Sequence, residues 1–341
     1  MLVALLLALG GPLGLRTQGP LRELFLDVTS ADARPIVRPE IELRYSAANT
    51  WNEPMLLTRG AEVADQFLDE QADSLGVSVK APWPWFPRAW TALEWKLTEH
   101  WGGWSDGPIE GWHSLIGSFN YQRSMFPRNQ VHLVFADTGG TAFHIDSPTL
   151  APGDATVRTQ VSLFTAPVAV AARLDLKLPI GSLSAAGGSG GFDAGLGVVA
   201  SWPFSSWGTL HGLFALSRFS GLSAPTALQP KEWHWTFEGS FEARVSAVTL
   251  LFEDRALSPL FGPGWDRVPS GLNGDDALLS SGLYADFRVH NQISLGVRYA
   301  RFTLWFSEDF TFGSNPHSVQ TWLYVDNAPD AVLGLAYAFT L

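Results

Sequence analysis

The sequence predicts an all-β protein, a single antiparallel transmembrane β-barrel of about 12 strands (about 14 is also compatible), with a short amphipathic helix in one long loop. Three observations carry that expectation: one long alternating stretch, its repetition along the chain, and the way the chain ends. The stretch is 233–245. Its odd positions are Trp233, Trp235, Phe237, Gly239, Phe241, Ala243 and Val245; its even positions are His234, Thr236, Glu238, Ser240, Glu242 and Arg244. A strict period of two is a β-strand. Its apolar face meets either the core of a soluble sandwich or lipid, and in the second case the charges line a barrel lumen.

Composition favours lipid. Hydrophobic residues make up 46% of the 341 and charged ones 16%, below the roughly 25% usual in soluble domains. Even so, no apolar run reaches the ~20 residues of a membrane helix. Fifteen Trp and 22 Phe suit the aromatic girdles of a membrane barrel. The net charge of −11 speaks against nucleic acid as a partner, and the absence of Cys excludes disulfides and thiol catalysis. Residues 2–9 are an apolar run of export-leader size, although the first basic residue is Arg16. Residues 1–18 are therefore expected as a signal peptide and 19–341 as the barrel. The expected location is the bacterial outer membrane, with lipid and the barrel assembly machinery as partners and the oligomeric state open.

The alternation recurs at 41–47, 75–80, 93–98, 131–135, 157–163, 168–178, 192–202, 208–216, 248–252, 283–289, 293–299 and 331–341. Short connections are expected at 165–167, 203–206, 246–247 and 290–292. They alternate with Gly- or Pro-rich loops at 181–191, 217–230 and 255–277, as short periplasmic turns alternate with long outer loops. Nine strands then run from Ala155 to the C-terminus. Four candidates precede them, and two periplasmic termini require an odd number there, so one candidate is spurious or one strand is missed. Segments 24–28 and 302–324 are the places that alter the count.

The last eight residues, Gly-Leu-Ala-Tyr-Ala-Phe-Thr-Leu, resemble the C-terminal strand signal of outer-membrane barrels, with Leu341 in place of the commoner Phe. Residues 101–117 break the period. Pro108 is expected at the first helical position, with Ile109, Trp112, His113 and Ile116 on one face and Gly117 ending it. Such a helix could lie in the membrane interface, cap the barrel or fold into the lumen. Here the chain resembles an uncharacterised bacterial family of predicted outer-membrane barrels, a domain of unknown function. The residues that carry the likeness are Gly102, Gly103, Asp106, Ile109, Glu110, Trp112 and His113. Gly19-Pro20-Leu21, the stretch 173–181 and Gly191-Phe192-Asp193 add to it, whereas Trp104-Ser105 and 302–330 depart from it. The resemblance implies fold and location but no reaction.

Charges on the polar faces are read as pore-lining. They are Glu42, Arg44, Glu94 and Lys96; then Arg158, Arg173, Asp175, Lys177 and Asp193; then Glu238, Glu242, Arg244, Asp286, Arg288 and Arg298. A pore for one ion class shows rings of one sign. Mixed signs equally suit paired side chains filling a narrow barrel. Small lumen residues, Gly195, Gly197, Ser201, Ser240 and Ser294, tip the expectation toward a passive channel or uptake barrel for an unidentified small solute. A closed structural or ligand-binding barrel is the alternative. His113-Ser114 beside Ser118 and Asn120 invites comparison with outer-membrane phospholipases, but adjacency shows no triad, and no enzyme is expected. Neither a metal nor a cofactor is expected: His144 and Asp146 read as a turn before Ser147-Pro148, and 187–191 lacks the lysine of a phosphate cradle.

Overall fold

A computed structural model describes residues 11–116, 126–262, 266–268, 289–312, 323–325 and 331–341. Twelve described strands form the wall: β1 (Glu40–Arg59), β2 (Glu62–Trp83), β3 (Phe86–Trp101), β7 (Ala155–Phe164), β8 (Ala169–Leu178), β9 (Asp193–Trp202), β10 (Gly208–Arg218), β11 (Trp233–Val245), β12 (Val248–Leu257), β14 (His290–Tyr299), β15 (Phe302–Phe312) and β17 (Ala331–Thr340). Each pairs antiparallel with the next, and β17 returns to β1 with Thr340 opposite Glu40. The sheet is closed, so none of these strands leaves an unpaired edge. Five further short strands add to the ends of these twelve: β4 (His132–Asp137), β6 (Thr149–Pro152), β13 (Asp266–Val268) and β16 (Leu323–Val325) pair with β2, β3, β1 and β15, and β5 (Gly140–Ile145) pairs with β4. No described helix is long and apolar enough to cross a membrane; the strands do so.

Two elements differ from the sequence reading. Segment 131–135 is not a wall strand: β4 pairs with the outer end of β2, Asp69 opposite His132, and folds back as a hairpin with β5. Its alternation is genuine, but the apolar face meets an internal core instead of lipid. Residues 290–292 are not a turn either; they begin β14, and the tight turn is Ala300-Arg301, with Ala300 at φ 53°. His290 and Gln292 looked like part of a turn because they are polar, and they are polar because they face the interior. Most of 283–289 lies outside the described residues, and β15 supplies the ninth strand after Ala155 instead.

The facing of β11 fixes the environment. Trp233 and Phe237 are 61% and 58% exposed, while Glu238 and Glu242 are each 2% exposed. The same alternation holds on β10, where Leu210, Phe214 and Leu216 point out. An outward apolar band around a polar interior is the outer-membrane type of barrel. At the short-turn end, periplasmic in such barrels, Trp202, Phe204, Trp207 and Phe241 form a ring-to-ring cluster, and Tyr337 packs on Phe302 and Phe339. That is an interfacial aromatic belt.

Candidate functional site

The lumen is occupied. Residues 11–38 join no strand; they run up the inside of the barrel, turn at the 3-10 segment Arg22–Leu24 near the outer mouth, and descend to enter β1 at the periplasmic end. At the turn, Leu21, Leu24, Phe25, Leu26 and Val28 join Leu133, Phe135, Phe143, Ile145, Phe219, Leu260 and Phe261 in one buried cluster. Burying each such side chain contributes roughly 1.5–3 kcal/mol, so the outer mouth is sealed by an apolar core like that of a small soluble domain. Phe25 stacks on Phe219 with ring centroids 5.0 Å apart.

Lower down the segment is held by polar groups. A chain in this irregular conformation presents unpaired N–H and C=O groups that need partners when buried, and the wall's charges supply them. Leu26 N–H donates to Asp193 (3.0 Å), Ser30 N–H to Glu238 (3.0 Å), and Ala33 N–H to Ser201 Oγ (3.0 Å). The Arg173 guanidinium donates to the Thr29 carbonyl, and Arg158 reaches Thr29 Oγ1 at 3.2 Å. On the ascending limb Gly14 N–H donates to Glu253 (3.0 Å), and Gly11 N–H to Glu242 (3.1 Å). Arg44 donates to the carbonyls of Leu13 and Gly14, and Arg298 to that of Gly11.

Every predicted pore-lining charge among the described residues turns inward, and each has a partner. Glu42 pairs with Arg44; Glu94 with Arg158 (2.5 Å) and Arg16 (2.9 Å); Lys96 with Glu23 (2.7 Å). Arg158 and Arg173 share Asp175, each at 2.7 Å. Lys177 lies 2.6 Å from Asp154 and 3.4 Å from Asp193. Arg244 and Arg298 approach Glu242 at 3.9 and 3.8 Å. Asp286 and Arg288 lie outside the described residues. The sequence reading missed Glu253 and Arg255, both fully buried in the lumen, because the inward Leu251 ahead of them broke the apparent alternation. Arg255 pairs with Asp27 and, at 3.2 Å, with Glu238.

Two of the small lumen residues, Gly195 and Ser201, make room for this segment and not for open water. A Cβ on Gly195 would sit 2.7 Å from Val28 Cγ2, so the close approach there depends on glycine. Space remains at the periplasmic half, a cavity of about 740 Å³ lined by Glu40, Glu42, Arg44, Ser78, Lys80, Lys96, Arg298 and Arg301 beside the segment. Ser201 Oγ lies 2.8 Å from His211 Nδ1, and His211 Nε2 lies 3.2 Å from Glu242. This has the connectivity of a serine–histidine–acid relay. Yet Ser201 is fully buried and its oxygen already accepts the Ala33 N–H, so here the three fasten the segment.

Residues 102–116 lie on the outside of the wall, which excludes them as the plug. The helix α1 (Asp106–Ile116) begins two residues before the expected Pro108. Gly102 meets the Asn129 carbonyl where a Cβ would be 2.0 Å away, and Gly103, at φ +60°, packs on Gln71. Asp106 accepts from Asn49 Nδ2 (2.9 Å) and Asn129 N–H (2.6 Å), and Glu110 pairs with Arg128. Trp112 donates to Glu308 (3.3 Å) and meets Phe306 edge-on, on the outward face of β15. Trp104, ahead of the helix, and Leu115, within it, are exposed. Ile109 is half-buried; the His113 side chain, Ser118 and Asn120 lie outside the described residues.

The family described as "Protein of unknown function (DUF3187)" matches residues 8–258. No curated protein matches the chain. Among solved structures it is similar to the COG4313 outer membrane channel from Pseudomonas putida F1, with a TM-score of 0.49 and 11% identity over 89% of this chain and 96% of that one. It is also similar to the NanC porin (TM-score 0.43, 10% identity, 88% and 100% coverage) and to a Pseudomonas aeruginosa FadL homologue (TM-score 0.39, 9% identity, 89% and 91%).

Proposed function

This chain belongs to the DUF3187 family, whose description assigns no activity, and we propose that it is an outer-membrane channel for small polar solutes, closed toward the outside by its own N-terminal segment. The observation that carries this is that the barrel closes without the segment. Every wall strand has its neighbours, β17 pairing with β1 included, so the segment can leave without breaking the ladder, and a cavity of about 740 Å³ that carries charges of both signs already lies beside it. A barrel built only for structure fills its interior with fixed side chains. If the expected signal peptide, residues 1–18, is removed on export, most of the ascending limb goes with it, releasing Arg44, Arg298, Glu242 and Glu253 from the backbone groups of residues 11–15 that they now hold. The freed charges would line a wider aqueous path. The pairing of the described lumen charges favours the second reading, a permanently closed binding or structural barrel.

Planar-bilayer conductance separates the two. The exported protein is compared with a variant lacking residues 21–34, and the N-terminus of each is established by intact mass. Discrete open levels in the exported protein, larger in the deletion, support the channel. Silence in both, with heat-modifiable mobility retained, supports the closed barrel.

A further inference from the structure

We propose that His132, His144 and Asp146 form a transition-metal site on the outer surface of the barrel, with two imidazoles and a carboxylate suited to Zn²⁺. In sequence His144 and Asp146 looked like two residues of a turn. The fold puts His144 inside β5 and brings a third group across the hairpin. Val134 lies opposite His144 and Leu133 opposite Ile145, so one further step sets His132 across from Asp146 with all three side chains on one face.

The contacts follow from that register. His132 Nδ1 lies 2.5 Å from one Asp146 oxygen, His144 Nε2 lies 2.7 Å from the other, and the rings meet edge-on with centroids 5.8 Å apart. One ligand atom from each residue lies within 4.8 Å of the others. Bonds of ~2.0 Å to a tetrahedral ion place ligand atoms roughly 3.3 Å apart, which modest side-chain rotations reach. Three protein ligands leave the remaining position to water, and side-chain exposures of 36%, 54% and 55% leave the site open to solvent. Imidazole and carboxylate donors without thiolate suit Zn²⁺, Co²⁺, Ni²⁺ or Cu²⁺ over softer ions.

The hairpin that carries the site is packed from behind. On the reverse face Leu133, Phe135, Phe143 and Ile145 are each at most 4% exposed within the core that seals the mouth, and the Phe67 ring packs 4.7 Å from that of His132. An exposed His–Asp pair alone stabilises little; an ion bound by all three would clamp β4 to β5 and so brace the outer seal.

Tag-free protein in detergent, stripped with EDTA and dialysed, is titrated with Co²⁺ and followed by visible absorption, with Zn²⁺ as competitor. One equivalent of Co²⁺, displaced by Zn²⁺, is expected. Loss of an outer-shell partner weakens metal sites by ~10–100-fold, so loss of a direct ligand in His132→Ala or His144→Ala should weaken binding by at least that factor. Heat-modifiable mobility checks folding, and His144→Gln, close in size, stands in should an alanine variant not fold. Absence of saturable uptake by the wild type, or uptake unchanged in the folded variants, overturns the site.

Discussion

Arg255 reaches from the wall of the barrel to Asp27 of the lumen segment, and its guanidinium also lies 3.2 Å from Glu238, all three residues being buried. One cation thus serves two carboxylates. Removing it leaves both uncompensated, and breaking a buried pair this way costs about 3–5 kcal/mol. Arg255→Met should therefore shift the urea midpoint of the heat-modifiable band far more than Asp27→Asn, which leaves Arg255 paired with Glu238. Equal shifts would mean that the pair is solvated.

Acid should loosen the segment only at low pH. Burial opposes ionisation of Asp27, but the Arg255 guanidinium beside it leads the groups that outweigh burial and hold the carboxyl below its ordinary value of 3.8. A depressed carboxylate contributes stability that is complete above the unfolded value and is lost as pH falls through the folded one. Conductance should be flat from neutral pH to about pH 4 and rise below it. Asp27→Asn should remove that rise. A transition centred near pH 6 would implicate histidine instead.

Facing gives a second comparison. Phe237 points to lipid, and an arginine at the bilayer midplane there costs ~2–4 kcal/mol. Ser78 faces the open cavity, so Ser78→Arg should assemble nearly as wild type. Thr236, although on the lumen face, is buried against the occupied interior, and Thr236→Arg should fail along with Phe237→Arg. Yields of heat-modifiable barrel in the membrane fraction would decide, and tolerance of Phe237→Arg would reverse the facing.

The glycine pair should be intolerant of any side chain. A Cβ on Gly102 would overlap the Asn129 carbonyl, so Gly102→Ala must displace the 126–130 backbone. Asp106→Ala removes acceptors for Asn49 and Asn129 and should cost about 1–3 kcal/mol for the groups left unpaired. Both variants should keep the barrel yet become cleavable between 101 and 131 by external protease. Unchanged resistance would show that the outer segment is held elsewhere.

Strand facing and much of the wall were legible in the sequence, because a period of two under a lipid-and-lumen contrast leaves each side chain one side to face. Hence 233–245 separated its two faces from its residues alone, and the composition of the whole chain then assigned the apolar face to lipid and the charges from Glu42 to Arg298 to the inside. Two things depended on tertiary structure. Segment 131–135 alternates as a wall strand does, and only its pairing with the outer end of β2 moves it off the wall. Residues 19–38 have no period, since their partners are charges and apolar groups on many different strands. An irregular chain satisfied side chain by side chain carries no local signature, so only the closed barrel decided that this segment fills the lumen, and only the β4–β5 register brought His132 to His144 and Asp146.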